Sequence, residues 1–167
     1  MINFYVLLKC PWIIKLQNFA YSSKKEKTKM KLSCLLVNLL YSSDIFIKQI
    51  SKVDTELFKA LLQTKNSELL CDTFAVINHI LLHHNKIDSE FVKSISQIIV
   101  NNHLTRDTNP KVLQKSLISL GLFSRKFLSD LKNRTEIHQK ISLLSTSGKE
   151  ENQNLLKAIS FTLHFLE

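Results

Sequence analysis

An apolar phrase recurs three times along this chain at a nearly constant spacing. Residues 30–40 read MKLSCLLVNLL, residues 70–80 read LCDTFAVINHI, and residues 113–123 read LQKSLISLGLF. The second copy begins 40 residues after the first, and the third begins 43 residues after the second. A period of about 40–47 residues is typical of helical units that stack side by side. The spacing therefore predicts a repeated helical architecture in which each unit buries an apolar face against the next.

Glycine and proline are scarce, and this scarcity narrows the fold class. The 167 residues include two glycines and two prolines, while 44% are hydrophobic and 22% are charged. Tight hairpins and phosphate-binding loops depend on glycine for its positive φ, so the composition argues against β-rich and nucleotide-cradling folds. Helix interiors need neither residue. The composition predicts an all-α protein with a substantial core.

Polar cap residues divide the chain into amphipathic helices. Asn66 or Ser67, and then Asp88, stand ahead of apolar residues with helical spacing, where a side-chain oxygen can accept the first backbone N–H groups. Asn109 followed by Pro110 is a start signal of the same kind, because proline at the first helical position loses no hydrogen bond. The predicted helices cover residues 29–41, 44–50, 54–64, 66–84, a segment from 88 onward, 109–123, 125–131, 137–144 and 149–166.

Two of these helices correspond position by position at an offset of 43 residues. The apolar stripe of the first aligns with that of the second, pairing Leu70 with Leu113, Phe74 with Leu117 and Ile77 with Leu120. Each stripe has the spacing of three and four residues that one helix face requires. We therefore expect these six side chains to face a shared core.

The copies also resemble a known family. Residues 74–78, FAVIN, are similar to the aromatic–x–x–x–Asn phrase on the third helix of armadillo repeats. Residues 34–39, CLLVNL, resemble the same phrase less closely. On these motifs the chain resembles the armadillo/HEAT superfamily over about residues 29–167. Gly121 and His164 stand where later copies would carry the asparagine, and the glycine pair between the first two armadillo helices is absent. The resemblance implies a right-handed α-solenoid of about three to four helical units.

The resemblance also implies a kind of partner. In armadillo proteins the equivalent asparagines hold an extended peptide by its backbone, which would give this role to Asn38 and Asn78. The partner would then be a peptide or another helical repeat. Residues 32–167 would form the helical-repeat domain of a non-enzymatic protein–protein interaction scaffold or adaptor. The apolar end of the last helix favours a fragment of a longer solenoid.

Positive charge is concentrated near the N-terminus. Of a net charge of +9, about two thirds falls in residues 1–31, which contain seven lysines and one glutamate. Residues 1–21 are interpreted as an apolar helical segment and residues 22–31 as a basic linker. The linker lysines are candidate partner contacts, namely Lys24, Lys25, Lys27, Lys29 and Lys31. The alternative function is therefore a nucleic-acid- or chromatin-associated basic helical protein that acts through residues 24–31.

The apolar N-terminal stretch and the cysteines bear on location. Lys9, Pro11 and Lys15 interrupt residues 2–20, so we expect no transmembrane segment. The three cysteines are widely spaced and form no CxxC pair. Such thiols fit a reducing compartment, which predicts an intracellular protein of the cytoplasm or nucleus.

Residues that carry chemistry are present but scattered. His79 and His83 have the i, i+4 spacing of helical zinc ligands, yet Ile80 follows His79 where metalloproteases carry glutamate. No nucleophile motif accompanies the cysteines or serines. The sequence therefore predicts no enzyme, no metal site and no cofactor.

Overall fold

A computed structural model of the chain describes residues 27–29, 31, 35, 55–83, 87–131, 134–146 and 153–166. Within these residues the protein is all-α, as predicted, and no strand occurs. The helices between residues 55 and 166 are α1 (Thr55–Leu62), α2 (Ser67–His83), α3 (Ser89–Asn102), α4 (Pro110–Phe127), a 3-10 helix (Leu128–Asp130), α5 (Arg134–Thr146) and α6 (Gln153–His164).

Three predicted helix starts are confirmed by their hydrogen bonds. The side-chain oxygens of Asn66, Asp88 and Asn109 each accept a bond from the backbone N–H two residues later, at 2.9–3.0 Å. Pro110 occupies the first helical position of α4. These caps satisfy donors that no helical carbonyl reaches, so they fix where α2, α3 and α4 begin.

The helices pack in an alternating order. The even-numbered helices lie side by side, with α4 between α2 and α6, and these two pairs share the most extensive contacts. In the other set, α1 packs against α3, and contacts between the two sets join α1 to α2, α3 to α4 and α5 to α6. Each of these helices except α5 therefore makes its most extensive contacts with a helix two elements away along the chain.

A continuous apolar core lies between these helices. The predicted stripe of α2 is buried at Leu70, Phe74, Ile77 and Leu81. Aromatic rings connect the helices, since Phe58 meets Phe91 edge-on at 5.5 Å between ring centroids, and Phe91 lies 6.4 Å from Phe123. Edge-on and tilted ring contacts at these distances add to the burial of apolar surface.

Helix α4 differs from its prediction. A separate helix over residues 125–131 was expected, but α4 continues to Phe127 and passes into the 3-10 helix that ends at Asp130. Gly121 and Ser124 lie close to the expected break, and both residue types have a weak helix propensity. In the structure, however, Ser124 donates its hydroxyl proton to the Leu120 carbonyl at 2.8 Å, and Gly121 is buried. Burial between two neighbours overrides the weak helix propensity of these residues.

Several predictions concern residues that the structure does not describe. Residues 1–26 and 36–54 lie outside the described part, and with them the predicted N-terminal segment, the helix over 44–50 and most of the helix over 29–41. The described residues 27–29 and 31, within the predicted linker, have helical backbone. None of the described helices is both long enough and apolar enough to cross a membrane.

Candidate interaction surfaces

The Asn78 carboxamide bridges two helices. Its Nδ2 donates to the Lys115 carbonyl at 3.4 Å, and its Oδ1 accepts the Ser119 hydroxyl proton at 2.6 Å. Ser119 also lies 3.1 Å from the Lys115 carbonyl, within its own helix. The side chain predicted to hold a peptide thus contacts α4, and a peptide would share or displace these bonds. Asn38 lies outside the described residues.

Bonds of this type recur between helices two elements apart. Each joins a side chain to a backbone carbonyl 40–45 residues earlier. The donors and acceptor carbonyls are His103 to Leu62 (3.0 Å), Lys115 to Cys71 (3.2 Å), Lys126 to Leu82 (3.0 Å), Lys140 to Val100 (3.3 Å) and Thr162 to Leu117 (2.8 Å). The separations match the spacing of the apolar phrases.

The contact between α4 and α6 depends on a glycine. A Cβ atom on Gly121 would lie 2.5 Å from Cε1 of Phe161 and 3.3 Å from Oγ1 of Thr162. Real Cβ atoms do not approach other atoms at the shorter distance, so the ring occupies space that any larger residue would fill. Gly121 therefore permits α6 to pack closely on α4.

A polar cleft of about 440 Å³ lies where the α1–α2 turn faces the α3–α4 connection. Thr64, Lys65 and Ser67 line it from the first segment, and Thr105 and Asp107 line it from the second. Both a cation and an anion reach the cleft, and the remaining lining groups are mostly hydroxyls and amides. Such a surface suits hydrogen bonding to a neutral or zwitterionic chain more than binding of a simple ion.

His103 forms part of the cleft lining and is 5% exposed. Its Nε2–H donates to the Leu62 carbonyl at 3.0 Å, and its ring meets Phe74 edge-on at 5.4 Å. Burial lowers the pKa of the imidazole from its ordinary value of 6.5, and the bond to Leu62 opposes that shift. The neutral ring therefore joins the C-terminal end of α1 to that of α3.

The remaining titratable candidates stand apart from one another. The rings of His79 and His83 lie 4.4 Å apart between centroids, but within the described residues no three His, Cys, Asp or Glu side chains form a group that could hold a metal ion. Cys71 is half-buried, and burial raises the pKa of its thiol, so the thiol stays protonated at neutral pH. Cys10 and Cys34 lie outside the described residues.

The basic segment is described in part. Lys27 and Lys31 are exposed and Lys29 is half-exposed, all on helical backbone. Lys24 and Lys25 lie outside the described residues. The three visible lysines are thus accessible to a partner, and their role stays a prediction.

Sequence reasoning missed most of the side chains that join the helices. Ser119, Thr162 and Phe161 carried no local signal, because each acts on a helix that is distant in sequence. Gly121 did carry one, since it interrupts an otherwise apolar phrase within a helix. An isolated glycine inside a helical pattern lowers helix propensity, so it often has a packing reason.

Comparison with known proteins identifies no family. No protein-family model matches the chain, and no curated protein matches it significantly. A crystal structure of an engineered protein, determined by the Northeast Structural Genomics Consortium, is similar in fold, with a TM-score of 0.66 and 17% sequence identity. The likeness covers 90% of this chain and 60% of that one, so the chain spans less than two thirds of the engineered protein. At this identity the likeness concerns the fold alone.

Proposed function

We propose that the chain is an armadillo/HEAT-like α-solenoid segment and serves as a non-enzymatic protein–protein interaction module. Two features support the solenoid. Helices two elements apart are neighbours, and the bonds that join them recur at separations of 40–45 residues. Stacked units of this kind expose an extended surface that no single unit provides, and proteins use such surfaces for binding.

The polar cleft is the feature that most directly supports the binding role. Its two walls come from successive units, namely the turn before α2 and the connection before α4. Gln63, Asn102 and Thr105 are exposed there and offer both donors and acceptors. An extended polypeptide presents alternating N–H and C=O groups, so it matches this lining without requiring net charge.

The test compares two substitutions that each introduce a longer, positively charged side chain at an exposed site. Thr105→Arg places a guanidinium in the cleft, whereas Ser160→Arg places one on α6, outside the cleft lining. Partners captured by the intact chain would be purified and titrated by calorimetry against both variants. We expect Thr105→Arg to weaken binding by roughly tenfold or more, and Ser160→Arg to leave it unchanged.

Two results would contradict the proposal. If the intact chain binds no protein directly in purified form, the interaction role is wrong. If both variants bind as the parent does, the partner uses another surface and the cleft loses its role. Melting temperatures of both variants show whether either substitution has disturbed the fold.

The second candidate is nucleic-acid or chromatin association through residues 24–31. Exposure of Lys27 and Lys31 favours it, because phosphate contacts need accessible cations. Replacing Lys24, Lys25, Lys27, Lys29 and Lys31 with glutamine would abolish salt-sensitive binding of an oligonucleotide if this function holds. A partner list that this variant leaves unchanged argues against it. Either function fits an intracellular site, since Cys71 carries a free thiol.

A further inference from the structure

The end of the even-numbered helices away from the polar cleft has a different character. Contacts pair early residues of α2 with early residues of α4, and late residues with late ones, so these helices run parallel. The 17 residues of α2 span about 25 Å, which separates their C-terminal ends from the cleft. In the described last turns of α2, α4 and α6, every charged or titratable side chain is basic or histidine: His83, Arg125, Lys126 and His164.

Contacts across the three helices join these side chains into one surface. The Lys126 ammonium donates to the Leu82 carbonyl of α2. On the other side, the Arg125 guanidinium lies over the ring of Phe165 at 5.6 Å from its centroid, and the His164 ring meets Phe165 at 4.9 Å. The surface, here called the basic end, therefore runs from Leu82 through Lys126 and Arg125 to Phe165.

The basic end combines oriented positive charge with apolar surface. Arg125 is exposed and forms no ion pair with any described residue, while its stacking on Phe165 restricts the planar guanidinium. Leu82, whose carbonyl accepts the Lys126 bond, has a side chain that is 55% exposed. Burial, and then the neighbouring charge of Arg125, lowers the pKa of Lys126 from its ordinary value. A carboxylate placed here would relieve the repulsion between the two cations.

We propose that the basic end is a docking surface for an acidic peptide segment that carries an apolar residue beside its carboxylates. A carboxylate would bind the Arg125 guanidinium through two parallel hydrogen bonds, and the apolar residue would cover Leu82. This inference rests on the proposed interaction function and names a partner chemistry for a second surface. Nucleic acid fits less well, because two neighbouring cations provide few phosphate contacts and an exposed leucine provides none.

The experiment uses the full chain and three fluorescent probes in anisotropy titrations. The probes are a short peptide that alternates glutamate with leucine, the same peptide with lysine in place of glutamate, and an oligodeoxythymidine. We expect binding of the acidic peptide alone. Arg125→Glu should weaken it by roughly tenfold or more. Arg106→Glu, the matched charge reversal at an exposed site between α3 and α4, should not.

A second variant separates loss of binding from loss of the fold. Because Arg125 contacts Phe165, its substitution can disturb the packing of α6, so Leu82→Asp is tested as well. Leu82 is largely exposed, and an added carboxylate there should repel the acidic peptide while leaving the melting temperature unchanged.

Three outcomes overturn the inference: no binding of the acidic peptide, equal loss with Arg106→Glu, or tighter Arg125-dependent binding of the oligodeoxythymidine. These outcomes are distinct from failure of the proposed function, which is measured at the cleft with Thr105→Arg. If Thr105→Arg displaces a natural partner, but Arg125→Glu and Leu82→Asp bind that partner as the parent does, the docking role of the basic end is wrong and the proposed function stands.

Discussion

The α2–α4 and α4–α6 contacts join helices at nearly the same sequence separation but differ in how closely the helices approach. Between α2 and α4, the Asn78 carboxamide and the Lys115 ammonium extend from one helix to polar groups of the other. Between α4 and α6, the Thr162 hydroxyl bonds the Leu117 carbonyl, but Gly121 has no side chain and the Phe161 ring packs directly against it. A constant repeat spacing therefore does not require constant contact chemistry, and the two interfaces should respond differently to substitution.

The largest expected effect is at the glycine. Gly121→Val would place branched carbons where Phe161 now lies, and overpacking of this kind costs about 3 kcal/mol at the upper end of its range. Urea unfolding of the variant measures the cost. Ser160→Val, an exposed β-branched substitution on α6, is the control for helix propensity. Equal stability of the two variants would mean that Phe161 turns away freely.

A third interface extends the comparison, since His103 joins α3 to α1. His103→Leu removes the donor to the Leu62 carbonyl and should cost about 2 kcal/mol at neutral pH. Because the pKa of His103 is lowered in the folded chain, the unfolded chain binds its proton more readily. This contribution to stability is present above the ordinary value of 6.5 and is lost as the pH falls below it.

Unfolding titrations between about pH 7.5 and about pH 5 test this dependence. The stability lost by the parent on acidification should be smaller in His103→Leu. Gln139→Leu, which adds a leucine at an exposed and non-titratable position of α5, should retain the parent slope. An unchanged slope in His103→Leu would assign the acid sensitivity to other groups.

The polar interface should show a moderate coupling. In a double-mutant cycle with Asn78→Ala and Ser119→Ala, we expect an interaction free energy of about 1 kcal/mol. Either substitution alone already removes the 2.6 Å bond between the two side chains, so the double variant does not lose it a second time. Ser119 keeps the Lys115 carbonyl as a second acceptor, which limits the effect. The same cycle with Ser129→Ala, on the exposed side of the 3-10 helix, should give no coupling. Strictly additive effects in the first cycle would contradict the bridge.

The smallest effect is expected at Lys115. Lys115→Met keeps most of the apolar stem but removes the ammonium bond to the Cys71 carbonyl, at a cost of about 0.5 kcal/mol. Lys111→Met, at an exposed position one turn earlier, is the matched control and should be neutral. If the two variants unfold alike, the α2–α4 contact depends on Asn78 and on apolar packing rather than on Lys115.

The features that the sequence predicted are those with local causes. Asn66, Asp88 and Asn109 act on amides two residues away, so cap chemistry located α2, α3 and α4. Apolar spacing likewise indicated the buried face of α2. Both signals arise within a single helix and need no knowledge of what packs against it.

The features that it did not predict depend on distant partners. The continuation of α4 from Phe123 to Phe127 follows from burial between α2 and α6, which local propensity does not report. Ser119, which bonds the Asn78 carboxamide, lies 41 residues further on, so the sequence around Asn78 did not indicate this contact. The polar cleft combines two connections whose separation in sequence hides their proximity.

The bonds that repeat between helices share one property of their acceptors. Leu62, Cys71, Leu82, Val100 and Leu117 all contribute a backbone carbonyl, and their side chains play no part in the bond. Every amino acid carries that carbonyl, so a substitution at the acceptor position does not remove the hydrogen-bond acceptor. The 40–45-residue spacing of these bonds therefore constrains the side chains at the five donor positions and leaves those at the five acceptor positions free to vary.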